Sequence, residues 1–255
     1  GISDASFQTI VIDKTMFEAC SMSKPVFAYL VLKLVEQGKL ELDKPLYEYL
    51  PEVFVCEDED YPKQITARMI LSHTSGLLNW RKGSEENESP LPIYFKPGTK
   101  FYYSGEGIYY LQRVVEYITQ EPLENYAKRN LFDKLGLAST SFVWTENLNP
   151  QIAIGHDTSG SCNERGKYLH SNAAYTLYTT SNQYAKLIIE IMKLGSQNDF
   201  SLSESMIKEM LTHQVRVDTR EVIDRPGRNL GLQGFRGLGW AIDSTITGDI
   251  VYHSG

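Results

Sequence analysis

The feature that most limits how this chain can fold is an apolar run from Val26 to Val35, VFAYLVLKLV. Pro25 is tolerated only in the first turn of a helix, and Gly38 stands where a left-handed C-terminal cap belongs. The pattern therefore predicts a helix from Ser21 to Gln37. Because the run contains Lys33 and falls well short of the roughly 20 residues that cross a bilayer, we expect no membrane span.

The remaining patterns indicate an α+β fold. Weak strand character at the start gives way to a long helical middle, and strands return near the end. We therefore expect an antiparallel sheet flanked by helices, in one domain over 1–255, with a helical subdomain at about 40–180 inserted between α/β parts 1–39 and 181–255. Helices are predicted at 66–76, 106–119, 122–137, 180–195 and 203–215, loops at 82–92 and 145–172, and strands at 237–246 and 248–255.

Composition excludes some classes of partner. The 255 residues carry a formal net charge of -7 and no run of Lys or Arg, which argues against binding to nucleic acid or to an anionic membrane. The three cysteines, Cys20, Cys56 and Cys162, form no C-x-x-C pair and are too scattered for a disulfide framework. The sequence starts at Gly1 without a charged and then apolar leader, so we expect any targeting peptide to have been removed or never included.

A serine and a lysine three residues apart open the predicted first helix. Residues at that spacing lie on one helix face, so Lys24 Nζ can reach Ser21 Oγ. Burial against the apolar run would lower the pKa of Lys24 towards neutrality and make it a base. The pair alone is weak evidence for catalysis, because a helix-capping serine followed by a surface lysine has the same sequence pattern. A second match, Ser205 and Lys208, lies in an amphipathic helix and is expected to face solvent.

Two further motifs follow in order. Tyr103 lies in FYYSGEG and His253 in VYHSG. The order S-x-x-K, Y-x-N, then K-T-G or H-x-G resembles that of the penicillin-recognising serine enzymes, the class C β-lactamase and D-alanyl-D-alanine carboxypeptidase family, which includes esterases. Four further segments are also similar to segments of its members, in the same order: GKLELDKPLYEYLP, ITARMILSHTSGL, KPGTKFYYSGEGIYYLQRVVEYITQEPL and GLGW. The resemblance therefore covers essentially the whole chain.

The resemblance implies a serine hydrolase that works through an acyl-enzyme. Ser21 would be acylated, Lys24 would accept its proton, and Tyr103 would relay protons to the leaving group and to water. The substrate would be a small molecule or peptide, namely a β-lactam, a D-alanyl peptide or an ester, with no metal or organic cofactor. The family favours an extracytoplasmic location. The positions that would contact substrate are Ser104, Gly105, His253, Ser254 and Gly255.

The chain departs from the family pattern in three places. Gly105 stands where an Asn amide usually orients the substrate and the lysine. His253 replaces the usual Lys and, with an ordinary pKa near 6.5, would anchor a substrate carboxylate in a pH-dependent way. The chain stops at Gly255, next to where the second oxyanion donor is expected, so we expect it to be incomplete at both ends.

These departures leave one alternative from another class, a catalytically inactive binding or regulatory domain of the same fold. Within the enzymes, β-lactamase, peptidase and esterase share the acylation residues and are not separated. No G-x-S-x-G motif accompanies His73, so we expect that residue to be structural. His156, His170 and His213 lack metal-ligand spacing, and the acidic stretch CEDEDY is most simply a solvated loop.

Overall fold

The structure is a computed structural model, and it describes residues 1–52, 54–81, 90–146, 148, 152–163, 166–194, 198–217 and 233–255. The predicted loop at 82–92 lies largely outside these residues, and the predicted loop at 145–172 lies partly outside them. No helix in the described ranges is both long and apolar enough to cross a membrane.

Among the described residues, the main sheet is antiparallel, and its strands in spatial order are Gly248–Tyr252, Ala241–Thr245, Gln233–Arg236 and Val215–Arg216. The same part of the chain forms three shorter strand pairs outside this sheet, two of them antiparallel and one, Phe54–Val55 with Leu91–Pro92, parallel. The strands are β1 (Ile2–Asp4), β2 (Thr9–Ile10), β3 (Phe17–Glu18), β4 (Phe54–Val55), β5 (Leu91–Pro92), β6 (Tyr178–Thr179), β7 (Val215–Arg216), β8 (Gln233–Arg236), β9 (Ala241–Thr245) and β10 (Gly248–Tyr252).

Hydroxyl N-caps begin several helices. The side chains of Thr66, Thr180 and Ser203 each accept a hydrogen bond from the backbone N–H three residues on. The first of these helices ends at Leu71, earlier than predicted, because the chain turns at His73 with φ +59°. The helices are α1 (Ser23–Glu36), α2 (Ala67–Leu71), α3 (Gly105–Thr119), α4 (Leu123–Ala127), α5 (Asp133–Leu135), α6 (Ser181–Met192) and α7 (Glu204–Leu211).

Helix α1 runs through the core, as the apolar run predicts. Every residue from Ser23 to Leu34 is buried, so the helix is covered on all sides. Gly239, with φ +80°, lies directly against it, and a Cβ there would lie 2.5 Å from Cβ of Ala28. This close approach fixes the start of α1 beside the β8–β9 connection. The α+β fold is as predicted, and the division into subdomains stays a prediction.

Candidate active site

Ser21 lies in a tight turn that leads into α1. A 3-10 helix spans Cys20–Met22, and Cys20 adopts φ +46°, a left-handed conformation that is uncommon outside glycine. The turn is held by its neighbours, because Ser23 Oγ donates to the Cys20 carbonyl at 2.6 Å and Tyr184 Oη donates to the Met22 carbonyl at 3.1 Å. The backbone therefore presents Ser21 at the N-terminal end of α1, where the helix dipole favours negative charge.

Lys24 is buried directly behind Ser21. Its side chain is 1% exposed, and Nζ lies 3.0 Å from Ser21 Oγ and 2.7 Å from the Ala174 carbonyl oxygen. The pKa of Lys24 is lowered to about 7, chiefly by burial; Cys20 opposes this shift and the positive charge of Arg236 adds to it. At neutral pH a large fraction of Lys24 is thus uncharged and able to accept a proton.

The carbonyl that orients Lys24 belongs to a rigid loop. The N–H of Ala174 donates to Asn172 Oδ1 at 2.9 Å, and the N–H of Ala173 donates to Gln112 Oε1 at 2.7 Å. Thr176 Oγ1 accepts from the N–H of Asn172 at 2.8 Å. Because these residues are buried, the loop holds the Ala174 carbonyl in a fixed direction, and Nζ of Lys24 with it.

Tyr103 lies across the site from Lys24, with Nζ 4.8 Å from its ring centroid. His73 packs against the same ring at a centroid distance of 4.3 Å. The His73 carbonyl accepts the N–H of Tyr102, and its Nδ1 accepts the N–H of Ser104 at 3.2 Å. Burial lowers the pKa of His73 well below its usual value, so the ring is neutral. His73 is therefore a structural support for the Tyr103 segment, in line with the sequence-based expectation.

Ser104 and Gly105 lie at the N-terminal end of α3, Ser104 as its N-cap and Gly105 as its first residue. Ser104 is 1% exposed, and its Oγ accepts from the N–H of Gly107 and donates to the Leu78 carbonyl, both at 2.8 Å. Its hydroxyl is thus committed to helix capping rather than directed into the cleft. Gly105 begins α3 and is covered by the indole of Trp80. Contact of Ser104 or Gly105 with substrate stays a prediction.

A cavity of about 300 Å³ opens in front of Ser21. The third motif closes one side of it, because Gly255 lies so near the Ala19 carbonyl that a Cβ at position 255 would overlap that oxygen. The structure thus brings together five of the predicted site residues at one cavity, with Lys24 behind them. The cavity is lined by Ser21, Tyr103, Arg236, Tyr252, His253, Ser254 and Gly255.

Sequence reasoning missed Arg236. In the sheet it pairs with Ala241, which pairs on its other side with Tyr252, so Arg236 and the third motif share one end of the sheet. Burial lowers the pKa of His253 to about 4, and the nearby charges of Lys24 and Arg236 act in the same direction. His253 is therefore uncharged near pH 6.5, where a pH-dependent charge was expected. Arg236 is the permanent cation among the cavity residues, and its guanidinium lies 5.0 Å from the Phe101 ring centroid.

The other candidate residues lie elsewhere. Ser205 and Lys208 belong to the exposed face of α7, where Ser205 Oγ lies 3.0 Å from Ser203 Oγ. His156 Nε2 accepts the N–H of Ala5, and His213 pairs with Asp249 at 2.7 Å. Across the described part of the chain, no group of three or more His, Cys, Asp or Glu side chains is arranged to hold a metal ion.

Comparison with known proteins agrees with this arrangement. The family described as Beta-lactamase matches residues 1–255. The chain belongs to the beta-lactamase family. The Lovastatin esterase of Penicillium rubens is 30% identical to it over 174 residues, which are 55% of this chain and 43% of that protein.

Other known proteins match over all or nearly all of the chain. Protein flp of Staphylococcus aureus (strain N315) is 23% identical over 268 residues, covering 100% of this chain and 51% of that protein. The octameric penicillin-binding protein homologue from Pyrococcus abyssi superposes with a TM-score of 0.79 at 21% identity, covering 99% of this chain and 59% of that one. The chain thus spans about half the length of the curated relatives that it matches.

Proposed function

We propose that this beta-lactamase-family hydrolase cleaves an ester, β-lactam or D-alanyl peptide through an acyl-enzyme on Ser21. The observation that carries the proposal is the 3.0 Å contact between Ser21 Oγ and a buried lysine amine whose pKa is about 7. A base with a pKa near the working pH combines the correct protonation state with sufficient driving force for proton transfer. The similarity to an esterase and to a penicillin-binding protein homologue supports the same class of reaction.

Acylation follows from this geometry. Neutral Lys24 Nζ takes the proton of Ser21 Oγ while the Oγ–carbon bond forms. Negative charge develops on the carbonyl oxygen, near the N-terminal end of α1, where the helix dipole stabilises it. The bond to the leaving group then breaks, and the leaving alcohol or amine takes the proton through Lys24 and Tyr103. In deacylation, water gives a proton to these residues as it attacks the ester carbonyl. The bond between the carbonyl carbon and Ser21 Oγ then breaks, Oγ takes that proton back, and the acid is released.

Arg236 gives the cavity a preference for anionic substrates. A guanidinium binds a carboxylate more strongly than a neutral imidazole does, because its fork of N–H donors matches the two oxygens. In this proposal Arg236, rather than His253, anchors a substrate carboxylate. The neutral His253 contributes hydrogen bonds on the same side of the cavity.

Intact-mass spectrometry tests the nucleophile. The protein, checked for folding by circular dichroism, is incubated with a fluorophosphonate and separately with a penicillin. We expect one fluorophosphonate adduct that disappears in Ser21→Ala and persists in Ser205→Ala, the matched serine of the second S-x-x-K sequence. An adduct with penicillin would favour a lactamase or peptidase. Folded protein that gives no adduct with either reagent would instead support the inactive binding domain.

A further inference from the structure

The indole of Trp80 fills the place of a side chain at position 105. A Cβ added to Gly105 would overlap the six-membered ring of Trp80, and even Cε2, at the edge of that ring, would lie only 2.8 Å away. The residue two positions after Tyr103 therefore contributes backbone alone. The side-chain surface at this point beside the site is aromatic and comes from a different segment.

Hydrogen bonds to the first turn of α3 fix Trp80 from both sides. The Asn79 carbonyl accepts the N–H groups of Gly105 at 3.1 Å and Glu106 at 3.0 Å. The Glu106 carboxylate, 4% exposed, accepts the backbone N–H of Arg81 at 2.9 Å and its Nε–H at 3.1 Å. Since both neighbours of Trp80 are tied to one helix end, little further ordering of this segment is needed when a ligand binds.

The Trp80 ring is continuous with the loop that holds Lys24. It meets the ring of Tyr175 edge to face at a centroid distance of 5.4 Å, and Tyr175 meets Tyr168 in the same way at 5.2 Å. Tyr175 directly follows Ala174, whose carbonyl accepts from Lys24. We call Trp80, Tyr168 and Tyr175 the aromatic wall. Trp80 is 39% exposed, so part of the wall is open to solvent, and the wall adjoins the site through Gly105, which follows Tyr103 by two residues, and through Ala174.

We propose that the aromatic wall binds a flat apolar substituent of the substrate, so that the protein prefers esters with an aromatic group to small aliphatic esters. This inference rests on the proposed function. A ring that stacks on an indole gains from both burial and the aromatic contact. Trp80 offers one N–H donor and no acceptor, so an amide N–H on the substrate would find no acceptor on its side chain. Amide-bearing β-lactams are therefore poorer substrates at this wall.

Two series of esters identify the substituent that the wall binds. Methyl acetate is compared with methyl phenylacetate to vary the acyl group, and ethyl acetate with benzyl acetate to vary the alcohol. We expect kcat/KM to favour the aromatic member in at least one series. In Trp80→Leu that preference falls about tenfold through a higher KM, which is typical of a lost aromatic contact together with its burial. In Trp80→Phe most of the preference is retained.

Three controls separate this role from a structural one. Tyr117→Leu removes an exposed aromatic from the last turns of α3 and leaves the preference unchanged. A small alkyl fluorophosphonate labels Ser21 at similar rates in Trp80→Leu and the wild type. If Trp80→Leu fails to fold, Trp80→Phe and Tyr175→Leu supply the comparison, and the second lowers the preference.

Three results would overturn the inference, two for the aromatic wall alone and one for the proposed function as well. A folded Trp80→Leu that labels normally and keeps the full aromatic preference in both series would refute the role of the aromatic wall alone. A wild type with no preference for the aromatic ester in either series would do the same. Wild-type protein that never labels at Ser21 would refute the proposed function, and the wall as a substrate contact with it.

Discussion

Lys24 Nζ lies 3.0 Å from Ser21 Oγ while its side chain is only 1% exposed, so the amine is both close to the nucleophile and removed from water. Water would hold the amine as a cation, which cannot accept a proton. The second S-x-x-K pair has the same spacing on an exposed helix face and lacks this burial. Burial rather than spacing therefore distinguishes the two pairs.

The rate of acylation should rise with pH through about 7. The pKa of Lys24 is lowered to about 7 by burial, and only the deprotonated amine accepts the serine proton. The measurement is the rate of fluorophosphonate labelling between pH 5 and pH 9, conditions in which the reagent itself carries no titrating group. A rate that stays flat from pH 6 to pH 8 would contradict Lys24 as the base.

Replacing Arg236 should shift the pH dependence of the labelling rate. Its positive charge lowers the pKa of Lys24, so Arg236→Gln raises this pKa and shifts the midpoint of labelling to higher pH. The same variant should lose about tenfold in kcat/KM for a substrate with a carboxylate but little for a neutral ester. Arg216→Gln, in the exposed edge strand β7, is the control and should change neither quantity. Equal losses on charged and neutral substrates would contradict the role of Arg236 as anion contact.

The buried lysine should give stability a distinctive pH dependence. The unfolded chain keeps the Lys24 proton up to its ordinary pKa of 10.5, whereas the folded chain loses it above about 7. Between these values the unfolded state binds more protons, so the free energy of unfolding rises with pH by at most about 1.4 kcal/mol per unit. Chemical denaturation at pH 7, 8 and 9 should show this rise relative to Lys24→Met. Parallel curves for the two proteins would contradict it.

His73 should matter to activity through Tyr103. His73→Ala removes the ring that packs on Tyr103 and leaves the buried N–H of Ser104 without its acceptor, so we expect a loss of about 2–4 kcal/mol in unfolding free energy. The rate of labelling should fall at least tenfold while its pH midpoint stays near that of the wild type. His73→Asn should lose less stability, because asparagine tolerates the left-handed backbone better than alanine does. A shifted midpoint would indicate that His73 itself titrates in the reaction.

Gly105 and Trp80 should be energetically coupled. Gly105→Ala places a Cβ inside the indole and should cost about 1–3 kcal/mol of stability, the usual range for overpacking. In the background of Trp80→Ala the space is vacant, and the same substitution should cost much less. A double-mutant cycle in urea measures the difference. Additive effects would contradict the packing of the two residues.

Sequence patterns predicted the parts of the molecule in which local signals and burial agree. The apolar run specified α1, and the hydroxyls of Thr66 and Thr180 specified two helix starts. The early end of α2 was missed, because His73 adopts a left-handed backbone conformation there without the glycine that usually signals one.

The sequence predicted the site residues that lie in recognisable motifs. It missed the residues that only strand pairing brings to the site. Arg236 and Tyr252 reach one cavity through pairing across β9, a relation that no spacing in the sequence records. The aromatic wall was missed for the same reason, since Trp80 and Tyr175 meet only in the fold. The catalytic roles themselves, the subdomain boundary and the extracytoplasmic location remain predictions.

The contact between Trp80 and Gly105 also has an evolutionary consequence. A relative that gains a side chain at position 105 must lose the large ring at position 80, because one volume cannot hold both. The two sites should therefore covary among homologues, with glycine accompanying an aromatic residue and larger residues accompanying a smaller partner. Divergence between amide-lined and aromatic-lined clefts would then require paired substitutions, and intermediates with only the first change would be selected against for stability.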